Sequence, residues 1–295
     1  MDTDADMATK TVRGATFLDK GGTGKTTTAA HFGVALAEQD HNVLIVDLAG
    51  KQNDLAEYFG LLDDWQAAID ADDDDDQDWP NIGTVFTDQW EQIARAVPDA
   101  AEQMIWETSE GPDIIPAHPD LDGVDDDLAS VDQEDRYQRL NEFTTEHLEP
   151  MGYDVILFDL PGLTNNVSYN GLWAARNIIA PVEMGPLEEK QANGLRDDLD
   201  RIATNFDIEL ELTMVLPNKV DTRTNLAEEY LQQFEDAYPD AFAPAYVPVS
   251  QDIRNACNQG KTVFALDKPS KTAEEAIEAY RVNAKAFYRR LTGGE

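Results

Sequence analysis

Residues 19–27, DKGGTGKTT, combine glycines, two lysines and hydroxyl side chains in the pattern of a phosphate-binding loop. An apolar run at 12–18 precedes this segment, and a helix-like segment at 26–38 follows it. A glycine-rich turn between a strand and a helix start directs successive backbone N–H groups at a phosphate, which the helix dipole also favours. We expect Lys25 to reach the β- and γ-phosphates and the Thr26 hydroxyl to contact Mg²⁺. The predicted nucleotide-binding residues are Gly21, Gly22, Thr23, Gly24, Lys25, Thr26 and Thr27.

A second chemical signal is an apolar strand that ends in a carboxylate. Residues 153–162 read YDVILFDLPG, so Asp159 would lie at the strand end beside the phosphate loop. This is the Walker B arrangement, in which the aspartate holds Mg²⁺ directly or through water. Pro161 and Gly162 begin a turn that could sense the γ-phosphate.

Short apolar segments alternate with helical patterns, which favours βαβ units and a mostly parallel sheet covered on both faces. The candidate strands are 12–18, 43–48, 113–116, 154–160, 175–182, 212–216 and 245–249, and the candidate helices are 26–38, 135–148, 186–205, 225–237 and 272–291. The predicted fold class is therefore α/β, a doubly wound P-loop sheet. We expect a disordered tail at 1–11 and a single domain at 12–295, with an acidic insertion near 63–80.

The composition is strongly acidic, with 59 Asp and Glu against 22 Lys and Arg among 295 residues, a net charge of −37. Such self-repulsion is tolerable in molar salt, where the Debye length is about 3 Å. The 42% hydrophobic content excludes a disordered acidic protein. The composition therefore indicates a halophilic, cytoplasmic protein. Two acidic runs, at 70–78 and 120–127, break the pattern of strands and helices, and the first is interpreted as a solvated insertion. One cysteine, Cys257, excludes an internal disulfide and any multi-cysteine metal site within one chain.

The segment KGGTGKTT followed by an alanine-rich helix resembles the ParA/MinD group of deviant P-loop ATPases, with Asp19 at the position of the usual first glycine. Further segments, including 113–117, 170–182 and 253–264, extend the resemblance along most of the chain and make it more specific to ParA-type partition ATPases. The resemblance implies ATP and Mg²⁺ as cofactors and a nucleotide-dependent homodimer. It also implies a catalytic role for Lys20, the signature lysine, which would reach the nucleotide of the partner subunit.

The second strand ends VLIVDLAGKQN, where the family usually has two aspartates separated by one residue. Asp47 matches the first and is predicted to be catalytic, whereas Ala49 occupies the position of the second. In the family that second carboxylate is linked to the attacking water, so we expect slow or partner-dependent hydrolysis. Another carboxylate, for example Asp54, could substitute for it.

The segment 217–221, PNKVD, follows a candidate strand. The resemblance makes Asn218 a candidate for reading the base, while N-K-x-D also resembles the guanine signature of GTPases through Asp221. Both side chains suit hydrogen bonds to a base edge, so this segment leaves ATP and GTP open. Pro248, in the last candidate strand, is a further predicted nucleotide-binding residue.

Charge is uneven along the chain: residues 1–200 carry a net −33 and residues 201–295 only −4. Arg281, Lys285 and Arg289 recur every four residues in the last candidate helix and would share one face, with Arg290 beside them. We predict non-specific DNA binding through these residues and Arg254, as the resemblance implies, although cations near a helix C-terminus also suit its dipole.

The sequence therefore predicts a ParA-like ATPase that partitions DNA or positions another cargo, with an adaptor protein that stimulates hydrolysis and association with the nucleoid. Alternatives are a MinD-like membrane-associated ATPase, a nucleotide-dependent scaffold that barely hydrolyses ATP, and a phosphate-transferring metabolic enzyme. A stable membrane anchor is not expected, because residues 292–295, TGGE, form no basic amphipathic tail.

Overall fold

The computed structural model describes residues 10–50, 54–72, 80–184, 188–221, 223 and 225–293. The predicted tail at 1–11 and the acidic run at 70–78 therefore lie largely outside the described residues. Within them, none of the helices combines the length and the apolar character needed to cross a membrane.

One seven-stranded sheet organises the fold, in the order β3-β4-β2-β5-β1-β6-β7. All its strand pairs are parallel except the edge pair β3–β4. The chain leaves β1 toward β2 on one side and later adds β6 on the other, so a topological switch point lies next to β1, where α/β folds bind ligands. The strands are β1 Val12–Thr16, β2 Val43–Asp47, β3 Trp106–Glu107, β4 Asp113–Ile115, β5 Val155–Asp159, β6 Asn177–Glu183 and β7 Glu211–Asn218.

The paired strands β2 and β5, at the centre of the sheet, have no exposed position. Continuous apolar runs of this kind are typical of parallel strands that are covered on both faces. The helices of the described residues are α1 Lys25–Ala37, α2 Asp54–Tyr58, α3 Leu62–Asp72, α4 Gln89–Ala96, α5 Leu121–Ala129, α6 Gln133–Arg136, α7 Arg139–Phe143, α8 Asn166–Ala175, α9 Glu188–Phe206, α10 Asn225–Ala237, α11 Gln251–Cys257 and α12 Lys271–Thr292. The doubly wound α/β prediction is confirmed.

Two apolar cores lie on opposite faces of the sheet. One joins α1 to α12, where Phe32, Tyr280 and Phe287 are fully buried. The other is built from residues of α4, α5, α7, α8, α9 and α10. Because α1 begins at the phosphate loop, its packing against α12 holds the loop on the rigid centre of the fold.

Three sequence predictions need correction. Residues 245–249 form no regular strand and contribute only an isolated bridge between Pro248 and Val220, because proline cannot donate to a sheet ladder. The helix predicted at 135–148 is divided into α6, α7 and a π-helical turn at Thr144–Leu148. The acidic run at 120–127 is not a break in the pattern, because it forms α5, which buries Leu121, Val124 and Leu128.

Candidate functional site

The phosphate loop lies at the carboxyl ends of β1 and β5, beside a cleft of about 660 Å³. Its glycines occupy the backbone conformations that the loop requires, with φ of 79° at Gly22 and 95° at Gly24. A Cβ added to Gly21 or Gly22 would meet no other atom within 4 Å. The predicted residues that line the cleft are Gly21, Gly22, Gly24, Lys25, Thr26, Thr27, Asn218, Pro248 and Arg254.

Lys25 directs its ammonium back toward the loop that precedes it. Its Nζ donates to the Lys20 carbonyl at 2.7 Å, and the residue is only 8% exposed. Burial lowers the pKa of Lys25, while the nearby carboxylates of Asp159 and Asp19 oppose that shift. A desolvated cation beside a cleft is suited to an anionic ligand. The backbone carbonyl of Lys20 therefore helps to position Lys25 within the loop. That the Lys20 ammonium reaches the nucleotide of a partner subunit stays a prediction.

Three polar residues meet across adjacent strands beneath the loop. Thr16 pairs in register with Asp159, and Asp159 pairs with Asp47. The Thr16 hydroxyl donates to Asp159 Oδ1 at 2.9 Å, and the Ala49 N–H donates to Asp47 Oδ1 at 2.9 Å. Both carboxylates are at most 1% exposed. The sequence placed both aspartates at strand ends, and the register brings those ends side by side.

Gly162 explains why the turn after β5 lies so close to the phosphate loop. A Cβ at this position would lie 2.8 Å from Lys25 Nζ and 2.9 Å from the Lys20 carbonyl oxygen. Only glycine allows this approach, so the turn predicted to sense the γ-phosphate is in contact distance of the lysine predicted to bind it.

Asn218 is buried beneath the phosphate loop. Its Nδ2 donates to the Thr23 carbonyl at 2.7 Å, and its Oδ1 accepts from the Lys219 N–H at 3.0 Å. A Cβ on Gly24 would lie 2.4 Å from Asn218 Nδ2. In this structure the amide therefore supports the loop; its predicted contact with a base stays a prediction.

Lys219 is a site residue that sequence reasoning missed. Its Nζ contacts the Gly22 carbonyl and donates to Glu183 Oε1 at 2.7 Å, and its backbone is left-handed with φ of 53°. The sequence could have indicated this residue through its position directly after β7, since the carboxyl ends of parallel strands share one edge of the sheet.

Asp221, the candidate guanine reader, accepts instead from Arg223 Nη2 at 2.6 Å and from Arg223 Nε at 2.7 Å. That hydrogen bonding lowers the pKa of Asp221 to about 2.

His31 connects the phosphate-loop helix to the segment before α12. Nδ1 lies 2.6 Å from the Thr27 carbonyl, and Nε2 lies 3.2 Å from the Val263 N–H. The carbonyl requires a proton on Nδ1 and the N–H requires a lone pair on Nε2, so this geometry fits the neutral ring. The ring stacks on Tyr280 at a centroid distance of 4.6 Å, and burial lowers the pKa of His31 to about 4.

We expect acid to destabilise the fold through His31. Its pKa in the folded state is below the unfolded value near 6.5, so the stabilisation is complete above that pH and is lost as the pH falls toward 4. Between pH 6.5 and 5 the free energy of unfolding should fall by about 2 kcal/mol more in wild type than in His31→Gln. Denaturant titrations at both pH values measure this difference, and parallel curves for the two proteins would contradict the assignment.

The residues predicted to bind DNA differ in their surroundings. All four of the predicted residues on α12 are exposed, but Arg281 also makes a bidentate ion pair with Glu38 at 2.8 and 2.9 Å. Arg290 donates to the carbonyls of Thr213, Ala241 and Phe242 at 2.7 to 3.0 Å. The position of Arg290 is that of a structural residue, while Arg254 lines the nucleotide cleft. The predicted basic surface is thus centred on Lys285 and Arg289.

The donors at the cleft fit a nucleoside triphosphate with magnesium. Lys25 supplies a cation, and the open space above Gly21 and Gly22 leaves the loop backbone accessible. Thr26 lines the cleft and Asp159 is buried outside its lining; both carry oxygen donors of the kind that Mg²⁺ prefers, and their role as its ligands stays a prediction. For Ala49, the Asp54 alternative lies outside the described side chains.

Comparison with known proteins agrees with this geometry. Residues 15–212 match an AAA domain family, AAA_31. The chain is 25% identical over 262 residues to the chromosome partitioning protein ParA of Myxococcus xanthus, covering 88% of this chain and 82% of that protein. It is equally identical, over 262 residues, to the sporulation initiation inhibitor protein Soj of Bacillus subtilis, covering 88% and 92% of the two chains.

Among solved structures, the fold is similar to cobyrinic acid a,c-diamide synthase of Mycobacterium smegmatis, crystallised with an ATP analogue and magnesium. The TM-score is 0.69 at 24% identity, with 97% of each chain covered. This similarity concerns the fold alone. The match over residues 15–212 is what establishes the family: the chain belongs to the AAA domain family AAA_31, and its predicted resemblance to the ParA/MinD-type deviant P-loop ATPases is confirmed.

Proposed function

We propose that this protein is an ATPase that uses MgATP-dependent dimerisation as a switch in DNA partition or in the positioning of another large cargo. The observation that carries the proposal is the buried Lys25 ammonium, held at 2.7 Å from the Lys20 carbonyl beside an open cleft. Relatives named for chromosome partitioning support the biological part of the proposal.

Within the cleft, the loop backbone and Lys25 would bind the phosphates. Thr26 and Asp159 would hold Mg²⁺, which neutralises phosphate charge when it is bound. Asp47 would fix the turn at Ala49 through the hydrogen bond described above, and its predicted catalytic role remains part of the proposal. Because residue 49 lacks a carboxylate, basal hydrolysis should be slow and open to stimulation by an adaptor protein unless another carboxylate at the cleft takes its place.

Two exposed apolar residues support a dimer that forms over the cleft. Leu163 is 45% exposed and Val249 is 53% exposed, and both line the cleft. Large apolar side chains at the rim of a site favour contact with another protein surface. A second copy facing this rim would cover them and bring its Lys20 toward the bound nucleotide.

DNA is the proposed cargo or track, and α12 is the proposed contact. Lys285 and Arg289 are exposed and one helical turn apart. Two such residues in each protomer give a dimer a wider basic surface than a monomer has. Phosphate contacts of this kind are independent of base sequence and sensitive to salt.

Sedimentation of wild type and Lys20→Ala tests the switch. The mass of the protein is measured by sedimentation with ATP, with ADP and without nucleotide. The KCl concentration is varied from about 0.5 M to about 3 M, because affinity for DNA falls steeply with salt. We expect wild type to dimerise and to co-sediment with DNA only with ATP, and Lys20→Ala to do neither. An ATP-dependent dimer that leaves DNA in solution would exclude DNA as the direct partner, and a mass that ignores ATP would exclude the switch.

A further inference from the structure

The cleft contains a carboxylate that belongs to none of the phosphate-binding motifs. Asp122, the second residue of α5, lines the cleft together with Ala49, Gly50 and Leu121. Its Oδ1 lies 4.0 Å from the position that a Cβ on Gly50 would occupy. The acidic side chain expected at residue 49 is absent, and a different acidic side chain approaches the same turn from α5.

The position of α5 is set by two neighbouring carboxylates of the same acidic run. Asp120 accepts from Asn81 Nδ2 at 3.0 Å, which ties the start of the helix to the chain near 81. Asp125 Oδ1 accepts from the Asn166 N–H at 2.7 Å, and its carbonyl accepts from Asn166 Nδ2 at 3.0 Å. Asn166 begins α8, directly after the turn that contains Gly162. The helix that carries Asp122 is therefore joined to the turn predicted to sense the γ-phosphate.

The acidic side chains of α5 differ in whether they line the cleft. Leu121, Val124 and Leu128 are buried and hold one face of the helix in the core. Asp126 and Asp127 are exposed and absent from the cleft lining described above, as a salt-adapted surface predicts. Asp122 is also exposed, but its exposure is toward the cleft.

We propose that Asp122 supplies the carboxylate that residue 49 lacks and acts as a catalytic residue by orienting the attacking water. This inference rests on the proposed ATPase function. The water oxygen forms a bond to the γ-phosphorus while the bond from that phosphorus to the β–γ bridging oxygen breaks. ADP leaves with the electron pair of the broken bond, and inorganic phosphate is released. Asp122 accepts the proton that the water loses and passes it to solvent, to which its side chain is open.

The test compares Asp122→Asn with the matched control Asp126→Asn, which removes the same charge one helical turn further along α5, outside the residues that line the cleft. Binding of a fluorescent ATP analogue is measured separately from phosphate release. We expect Asp122→Asn to bind the analogue within about twofold of wild type and to hydrolyse ATP roughly 10²-fold more slowly, the low end for a positioned acid–base group. Asp126→Asn should match wild type in both measurements.

A rescue experiment distinguishes a catalytic role from a structural one. If Asp122 replaces the carboxylate at residue 49, then adding Ala49→Asp to the Asp122→Asn variant should raise its rate of ATP hydrolysis by about tenfold or more. That gain lies within the range of one acid–base group. The same change in wild type should raise the rate only a few fold by that reasoning, because a carboxylate is already present. A helix that was merely displaced would not be repaired from residue 49.

The outcomes separate this inference from the proposed function. If wild type fails to bind the analogue, the proposed function fails. If wild type hydrolyses ATP and Asp122→Asn keeps its rate, the inference alone fails. It also fails if wild type binds without hydrolysing, or if Asp122→Asn binds more than about tenfold more weakly, since the rate loss would then reflect binding and not catalysis.

Discussion

Replacing Lys25 with methionine is expected to weaken MgATP binding at least roughly 10²-fold, the scale of losing one preorganised charge contact. The same change should leave the nucleotide-free protein at least as stable as wild type. Lys25 is 8% exposed, and its buried ammonium donates to the Lys20 carbonyl at 2.7 Å. Methionine fills a similar volume without a charge to desolvate, so the cost of burial disappears together with the phosphate contact.

Thermal unfolding with and without MgATP measures both effects at once. Wild type should gain stability with ligand concentration, whereas Lys25→Met should show no gain over the same range. Lys268→Met is the control, because Lys268 is exposed on the chain before α12. A methionine variant that MgATP stabilises as strongly as wild type would show that Lys25 does not bind phosphate.

The second large effect is expected at Arg290, which should stabilise the fold and not bind DNA. Arg290→Met removes donors from the carbonyls of Thr213, Ala241 and Phe242, and so detaches α12 from β7 and from the segment that follows α10. Hydrogen bonds from a charged donor contribute about 1.5 to 3 kcal/mol each in buried positions. Because the guanidinium is partly open to water, we expect a total loss of about 2 to 3 kcal/mol in the free energy of unfolding.

The adjacent Arg289→Met is the matched control, since it removes the same charge from a neighbouring exposed residue that donates none of these three hydrogen bonds. It should leave the urea unfolding curve unchanged within about 0.5 kcal/mol, as surface substitutions do. In DNA co-sedimentation the order should be reversed, with Arg289→Met weakening binding and the folded Arg290→Met retaining it. Equal loss of stability in the two variants would contradict the structural role of Arg290.

Local patterns predicted the centre of the fold correctly. The strands near Val43 and Val155 were recognisable because continuous apolar runs mark buried parallel strands, and the helix at 225–237 was placed correctly from its periodicity. The phosphate loop was recognisable because its requirements are local: glycines for the turn, and a lysine and hydroxyls at the helix start. Asp47 and Asp159 followed from the rule that parallel strands end at one edge, which the register confirms.

The support around the loop depends on contacts between distant parts of the chain. Asn218 reaches the Thr23 carbonyl across 195 residues, and Arg290 reaches three carbonyls from the end of the last helix. No window of sequence distinguishes a base-reading amide from one that holds a loop, or a DNA-binding arginine from a structural one, because the residue types are identical. The sequence by itself determined which residues could do phosphate chemistry. Only the tertiary structure decided which side chains hold those residues in place. It also decided that α5 brings a carboxylate to the turn after Ala49. Both depend on packing and hydrogen bonding between distant segments, which set the positions of these side chains.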